Sequence, residues 1–244
     1  IKNFDQNLDI QLKTIKIILD PFKFSINAKT IGPRLINKKK IIEIESFKTK
    51  ISLKALIDKK FSIENLEIST KSIDLNNLIS FIRSLNQTPE LYILDRIIKK
   101  GFLIADIKLE FNDQGKIKDN FIINGFIKDG KLSFHKEYDI NKINFIFDLK
   151  KNELVIGDSN FDFNNLNFYS DEISVKRKAN IFSIKGKIDH KKFDLDTTNL
   201  NILTKSLLGN LKYKELSFSS TNIFSFNLSK KFELTDLEIF SKVK

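Results

Sequence analysis

Apolar and polar residues alternate along most of this chain, and at three places the alternation changes step. In residues 61–70, FSIENLEIST, Phe61 and Ile63 fall on one parity and Leu66 and Ile68 on the other. Residues 161–170, FDFNNLNFYS, and 232–241, FELTDLEIFS, shift in the same way. Side chains of a strand point to alternate faces, so the two halves of each segment share a face only if one extra residue separates them. A β-bulge supplies that residue, and Asn or Asp at the switch tolerates the dihedrals it needs. The competing reading is a strand that crosses between two cores. The bulge reading places irregularities at Asn65, Asn165 and Asp236. A bulge also bends and twists its strand, so bulges repeated along a sheet coil it into a trough with the apolar face inside.

Residues 1–72 read as a β segment. FKFSINA alternates Phe22, Phe24, Ile26 and Ala28, and in IIEIESFKTKISL Ile42 and Ile44 share one parity while Phe47, Ile51 and Leu53 share the other. Pro21 and Gly32-Pro33 mark turns. Residues 73–100 read as a helical pair, two consecutive amphipathic helices near residues 74–100. IDLNNLISFIRSL gathers Leu75, Leu78, Ile79, Ile82 and Leu85 into one stripe at helical spacing. In TPELYILDRIIKKG, Thr88 can cap the helix, Pro89 suits its first position and Glu90 its first turn. Lys99 and Lys100 then suit the last turn, and Gly101 the left-handed position beyond it. Leu91, Leu94, Ile97 and Ile98 form the apolar face of this second helix. Leu78, Ile82, Leu94 and Ile98 demand burial, on the apolar side of the sheet or at its end.

Residues 101–244 read as a β-meander groove built from short hairpins. Asp129-Gly130, Lys151-Asn152, Asp158-Ser159 and His190-Lys191 are two-residue turn signals. They place Ile127 opposite Leu132, Gly125 opposite Phe134 and Ile188 opposite Phe193. They also set Phe147–Ile156–Phe161 and Leu149–Leu154–Phe163 in cross-strand rows. The expected fold class is mainly β, a long coiled antiparallel meander forming an open apolar groove. Its apolar face would carry Leu109, Phe111 and Ile123, then Ile127, Leu132 and Phe134, then Phe145, Phe147 and Leu149. Leu154, Ile156, Phe161 and Phe163 continue it, followed by Phe168, Ile184 and Ile188. Lys, Asp and Asn fill the other face. The two helices span at most about 40 Å and cannot cover roughly a dozen strands spaced about 4.8 Å apart. Part of the apolar face is therefore expected to stay open, which asks for a ligand, a partner or a membrane.

Composition narrows the chemistry. The chain has 244 residues, 41% hydrophobic and 30% charged, which is globular material. It carries no apolar run long enough for a membrane-spanning helix. No signal peptide and no Met are found, so the three segments read as one continuous fragment of a longer protein. Absence of Cys removes disulfides, thiolate zinc sites and thiol catalysis together. The formal charge is +11, but 38 of the 42 basic residues are Lys, as the codon bias of an AT-rich genome would produce. Without an Arg-rich or aromatic recognition motif this charge belongs to solvated strand faces, not to a nucleic-acid site. His135 and His190 share no motif and read as surface residues of strands or loops. Asp113 and Asp119 read as solvated, and DGKLSFHKEYD is a hairpin, not a calcium loop. No phosphate loop, dinucleotide fingerprint or nucleophile elbow appears. The expectation is a non-enzyme with no catalytic residue, no metal and no cofactor.

Residues 61–117, FSIENLEISTKSIDLNNLISFIRSLNQTPELYILDRIIKKGFLIADIKLEFNDQGKI, carry a resemblance as well. The order of a bulged strand, a helix, a second helix ending in KKG and a hairpin ladder resembles the AsmA-like family of bacterial envelope proteins, of AsmA and TamB type. The likeness covers roughly residues 40–240. It implies kinship with bridge-like lipid transfer proteins, whose apolar troughs conduct phospholipid tails. It further implies a periplasmic location, with an inner-membrane anchor outside this fragment. Phospholipid is the implied ligand, membranes at the ends of the full-length protein are implied contacts, and a further envelope protein is a candidate partner. The alternative is an envelope scaffold or assembly factor whose apolar face is filled. An outer-membrane barrel is disfavoured by the absence of Trp, the scarcity of Tyr and the paired helices, since such barrels carry aromatic girdles.

Overall fold

The computed structural model of the chain describes residues 8–135, 138–163, 166–195, 216–229 and 233–244. The alternating stretches form one open antiparallel sheet, 15-stranded over the described residues, with three helices. At the N-terminal edge lie β1 (Leu8–Gln11), β2 (Thr14–Asp20), β3 (Ser25–Ile31), β4 (Arg34–Asn37) and β5 (Lys40–Ser52). β3 and β4 follow one another along β5, with Ile31 opposite Ser46 and Arg34 opposite Glu43. Gly32-Pro33 makes the break between them. Gly32 takes a left-handed φ of 66°, and its N–H still donates to the Glu45 carbonyl at 2.8 Å.

Next come α1 (Leu53–Ile57), β6 (Ile63–Thr70), β7 (Ile73–Asp74), α2 (Leu75–Leu85) and α3 (Pro89–Ile97). Ser52 caps the short α1, which the sequence pattern does not predict. Thr88 caps α3 and Pro89 opens it, as expected. The end of α3 differs. It stops at Ile97, and Ile98 through Gly101 already belong to β8 (Ile98–Glu110). Gly101 has φ 146°, outside the left-handed helix cap, and a Cβ there would meet Leu75 Cδ1 at 2.7 Å. Close approach of α2 to the strand, not helix termination, explains this glycine.

The remaining strands are β9 (Ile122–His135), β10 (Tyr138–Lys150), β11 (Glu153–Phe163), β12 (Leu166–Lys178), β13 (Ile181–Leu195), β14 (Leu216–Ser229) and β15 (Leu234–Val243), each paired with the next. They are longer than the turn signals imply. Lys151-Asn152 does connect β10 to β11, with Leu149 opposite Leu154 and Phe147 opposite Ile156. Asp129-Gly130, Asp158-Ser159 and His190-Lys191 are not loops; β9, β11 and β13 run through them. Asp129 has φ 52° and Asp158 φ 46°. An Asp that tolerates positive φ suits a bulge inside a strand as well as a tight turn, so the dipeptide does not distinguish them. The partners change accordingly. Ile127 faces Phe145 and Leu103, not Leu132, and Gly125 faces Phe147 and Ala105, not Phe134. The third member of the row Phe147–Ile156 is Ile173, not Phe161. Leu154 is followed by Val175, not Phe163. Ile188 faces Asn222, not Phe193.

Bulges occur where the alternation changes step. Lys50 faces Asn65 and Ile51 faces Ile63, leaving Glu64 as the extra residue. Thr49 then faces Leu66 and Phe47 faces Ile68, which returns both halves of β6 to one face. Asp236, with φ 53°, does the same in β15. Asn165 lies outside the described residues. Its neighbours Phe163 and Leu166 face one another on β11 and β12, so that copy of the motif spans two strands. Further register shifts fall beside Lys142, between Tyr169 and Ile173, and between His190 and Phe193. Each compensates a change of parity within its own strand.

The compact core is small. Among the described residues the buried apolar side chains are Ile42, Ile44, Ile73, Ile79, Phe81, Ala105 and Leu166. Phe81 of α2 packs with Ile42, Ile44 and Ile73, flanked by Leu78, Leu85, Phe47 and Ile68. Phe47 and Ile68 belong to the face that the bulge of β6 restores, so the helices sit on the apolar face at its N-terminal end. Leu78 and Ile98 are half-buried there, but Ile82 and Leu94 stay 38% and 43% exposed, against expectation. Ile79 and Phe81 take the inward positions because the approach of α2 is set by its contacts with Ile73 and β5. The accessible surface is 17200 Å², whereas a compact monomer of this mass exposes roughly 11,000 Å². Among the described residues no helix is long and apolar enough to cross a membrane.

Candidate functional site

The candidate site is the face on which alternation and bulges collect the apolar residues. Directly paired residues share a face, so the register can be followed from strand to strand. One row runs Phe47–Ile68–Ile107–Ile123–Leu149–Leu154–Val175–Ile184–Phe226, apolar at every step. It extends for about 38 Å across β5 to β14, at about 4.8 Å per strand. A parallel row runs Ala105–Gly125–Phe147–Ile156–Ile173–Gly186–Phe224–Ile239. The row on the opposite face reads Asp106–Asn124–Asp148–Val155–Ser174–Lys185–Ser225–Glu238. Along these rows the two sides differ in polarity, but the outer face is not filled by Lys, Asp and Asn alone: it also carries Ile104–Phe126–Ile146 and Ile223–Phe240, with Phe126, Ile146, Ile223 and Phe240 exposed.

The register puts the other candidate residues on the same apolar face. Leu109 faces Leu66, and Phe111, two residues on, lies 5.4 Å from the Phe61 ring. Ile127 sits between Leu103 and Phe145, and Leu132 between Ile98 and Ile140. Phe134 follows Leu132 by two positions and is 56% exposed. Phe161 faces Phe168, their rings stacked at 5.5 Å, and Phe163 faces Leu166 and Ile140. Ile188 shares the parity of Ile184. Sequence reasoning missed Ile107, Ile173, Val175, Phe224 and Phe226, which carry the same period-two signal on strands to which no turn signal gave a register.

Most of these side chains are half-buried between lateral neighbours, and the described residues form no second sheet over them. Two glycines keep the floor low. A Cβ on Gly125 would lie 2.4 Å from the Ile104 carbonyl oxygen and 3.0 Å from Phe147 Cζ. A Cβ on Gly186 would lie 2.8 Å from Phe224 Cζ and 2.9 Å from Ile173 Cγ1. The Phe147 and Phe224 rings thus lie across glycines on the neighbouring strands. Gly186→Val is expected to lift the Phe224 ring and lower stability by about 1–3 kcal/mol, read as a urea midpoint shift, because overpacking forces rotamer and backbone changes.

His190 departs from the surface reading. It faces Phe168 and Ser220 on the apolar side and is 3% exposed. Its ring lies 5.2 Å from that of Phe168 and 5.3 Å from that of Phe218, and Nδ1 is 2.7 Å from the Asn167 carbonyl oxygen. Asn222 and Ser241 join it on this face. Asn222 donates to Ser220 Oγ at 3.1 Å and accepts from Ser241 Oγ at 2.8 Å. This polar group interrupts the strip near its C-terminal end. His135 lies in β9.

The outer face is braced by ion pairs between neighbouring strands, including Lys131–Asp139 at 2.8 Å and Lys176–Glu153 at 3.2 Å. The Lys131 ammonium, hydrogen-bonded to Asp139, holds that carboxyl below the usual carboxylate range. Among the described residues no group of His, Asp or Glu is arranged to hold a metal ion. Comparison of the chain with protein-family models, with curated proteins and with solved structures finds no match.

Proposed function

We propose that this chain is a segment of a periplasmic groove that moves phospholipid between the inner and outer membranes, as its resemblance to AsmA-like proteins implies. The observation that carries the reading is the unbroken apolar row from Phe47 to Phe226, against which α2 packs at Phe47 and Ile68 and over which the described residues form no second sheet. Acyl chains laid on this strip leave water at about 0.8 kcal/mol per CH₂. Head groups would project beyond the rim into solvent. The strip offers ring faces and methyl groups but few fixed polar anchors, so one position binds about as well as the next and a lipid can slide. No catalytic step, metal or cofactor enters this function. The anchor to the inner membrane would lie outside the fragment.

Photo-crosslinkers at Phe147, Ile156 and Phe224 test the reading. They are expected to capture phospholipid, whereas crosslinkers at Asn124, Asp148 and Lys185 on the opposite face capture none. Equal capture on both faces, or capture only of protein by the apolar positions, would replace the conduit with the scaffold.

A further inference from the structure

At the N-terminal corner of the sheet an exposed apolar tip sits on the rim. The β2–β3 turn holds Phe22, fully exposed at 100%, and Phe24, 49% exposed. Phe24 has φ 46°, a left-handed conformation that bulky residues seldom adopt. The turn is tied by the Lys23 N–H, which donates to the Asp20 carboxylate at 3.0 Å. α1 lies beside it, its Leu53 N–H donating to the Phe24 carbonyl at 3.0 Å. α1 in turn exposes Leu56 at 56% and Ile57 at 69%. Exposed Lys23, Lys54, Lys59 and Lys60 flank these positions in sequence, against Asp20 and Asp58. The apolar floor of the sheet reaches the same corner through the row Leu19–Ile26–Ile51–Ile63.

We infer that the β2–β3 turn and α1 together form a docking tip that inserts into the interface of an anionic lipid bilayer. Aromatic and aliphatic side chains on a tight turn suit the shallow apolar zone beneath the head groups. The lysines can keep their ammonium groups at the level of the phosphates while their stems follow the apolar side chains down. The excess of Lys over Asp favours an anionic surface over a neutral one. The inference goes beyond the groove reading, because docking does not require that the groove hold lipid.

The chain has no Trp, so Phe22→Trp gives a single reporter. Its emission is expected to shift to the blue with vesicles of equal parts phosphatidylglycerol and phosphatidylcholine, and far less with phosphatidylcholine alone. In that background Lys54→Glu with Lys60→Glu should weaken binding by at least roughly twentyfold, at about fivefold per lysine removed. Leu56→Asp with Ile57→Asp should abolish the shift, with unchanged circular dichroism showing that the sheet is intact. An emission that stays red at all lipid concentrations would overturn the proposal. So would a blue shift without vesicles that grows with protein concentration, which would assign the tip to a second copy of the chain. Groove loading is read separately, by capture of a soluble short-chain phospholipid at Phe147 without vesicles. Loss of docking with capture retained therefore rejects the tip alone, and loss of capture with docking retained rejects the groove alone.

Discussion

Phe147→Asp combined with Phe161→Asp is expected to stop lipid passage while leaving the sheet folded. Phe147 lies across Gly125 on β9, and Phe161 stacks on Phe168 at 5.5 Å. Both are half-buried on a face over which the described residues form no second sheet, so a carboxylate at either position stays in contact with water when no lipid is bound. The charge is stripped of water only when acyl chains cover it, at several kcal/mol for each unpaired carboxylate. Lipid capture or transfer should therefore fall roughly a hundredfold or more, with circular dichroism unchanged and the melting temperature lowered by only a few degrees. In a filled sandwich the same changes would bury two unpaired charges permanently and unfold the protein. Wholesale unfolding, with no lipid in native mass spectra of the parent chain, would favour the scaffold over the conduit.

Phe81→Ala is expected to have the largest effect on stability of any single truncation. Phe81 is 4% exposed and packs in the one compact cluster that joins α2 to β5 and β7. Its removal should cost about 3–5 kcal/mol through lost burial and the cavity left behind. Phe147→Ala removes a ring of the same size from the open face and should cost clearly less, because solvent already reaches the site. Chemical denaturation midpoints of the two variants measure the contrast. Equal losses would show that Phe147 is covered in solution and that the groove is not open.

The apolar face was legible in the sequence because period-two alternation survives whatever connects the strands. Leu149, Leu154 and Ile184 could be assigned to one side from parity alone. Strand lengths were not legible. Asp129-Gly130 and Asp158-Ser159 carry the chemistry of a tight turn, but that chemistry is the tolerance of positive φ, which a bulge needs equally. Only the pairing of Ile127 with Phe145, Gly130 with Ile143 and Asn160 with Asn144, over long sequence separations, decides between them. α1 was missed because five residues are too few to show a helical period. His190 was misplaced because its burial is produced by Phe168 and Phe218, which arrive from other strands.

The bulges of β9, β10, β11 and β15 each restore the face within their own strand. Each hairpin therefore carries its own bend and matches its neighbours on either side. A gene that gains such a hairpin by tandem duplication gains a stretch of trough about 10 Å long, with the same cross-section and no new core to design. Loss of one shortens the trough without opening a gap. Descendants of such a chain can differ in the length of the trough by the count of their hairpins alone, while selection on the apolar strip continues to act one strand at a time.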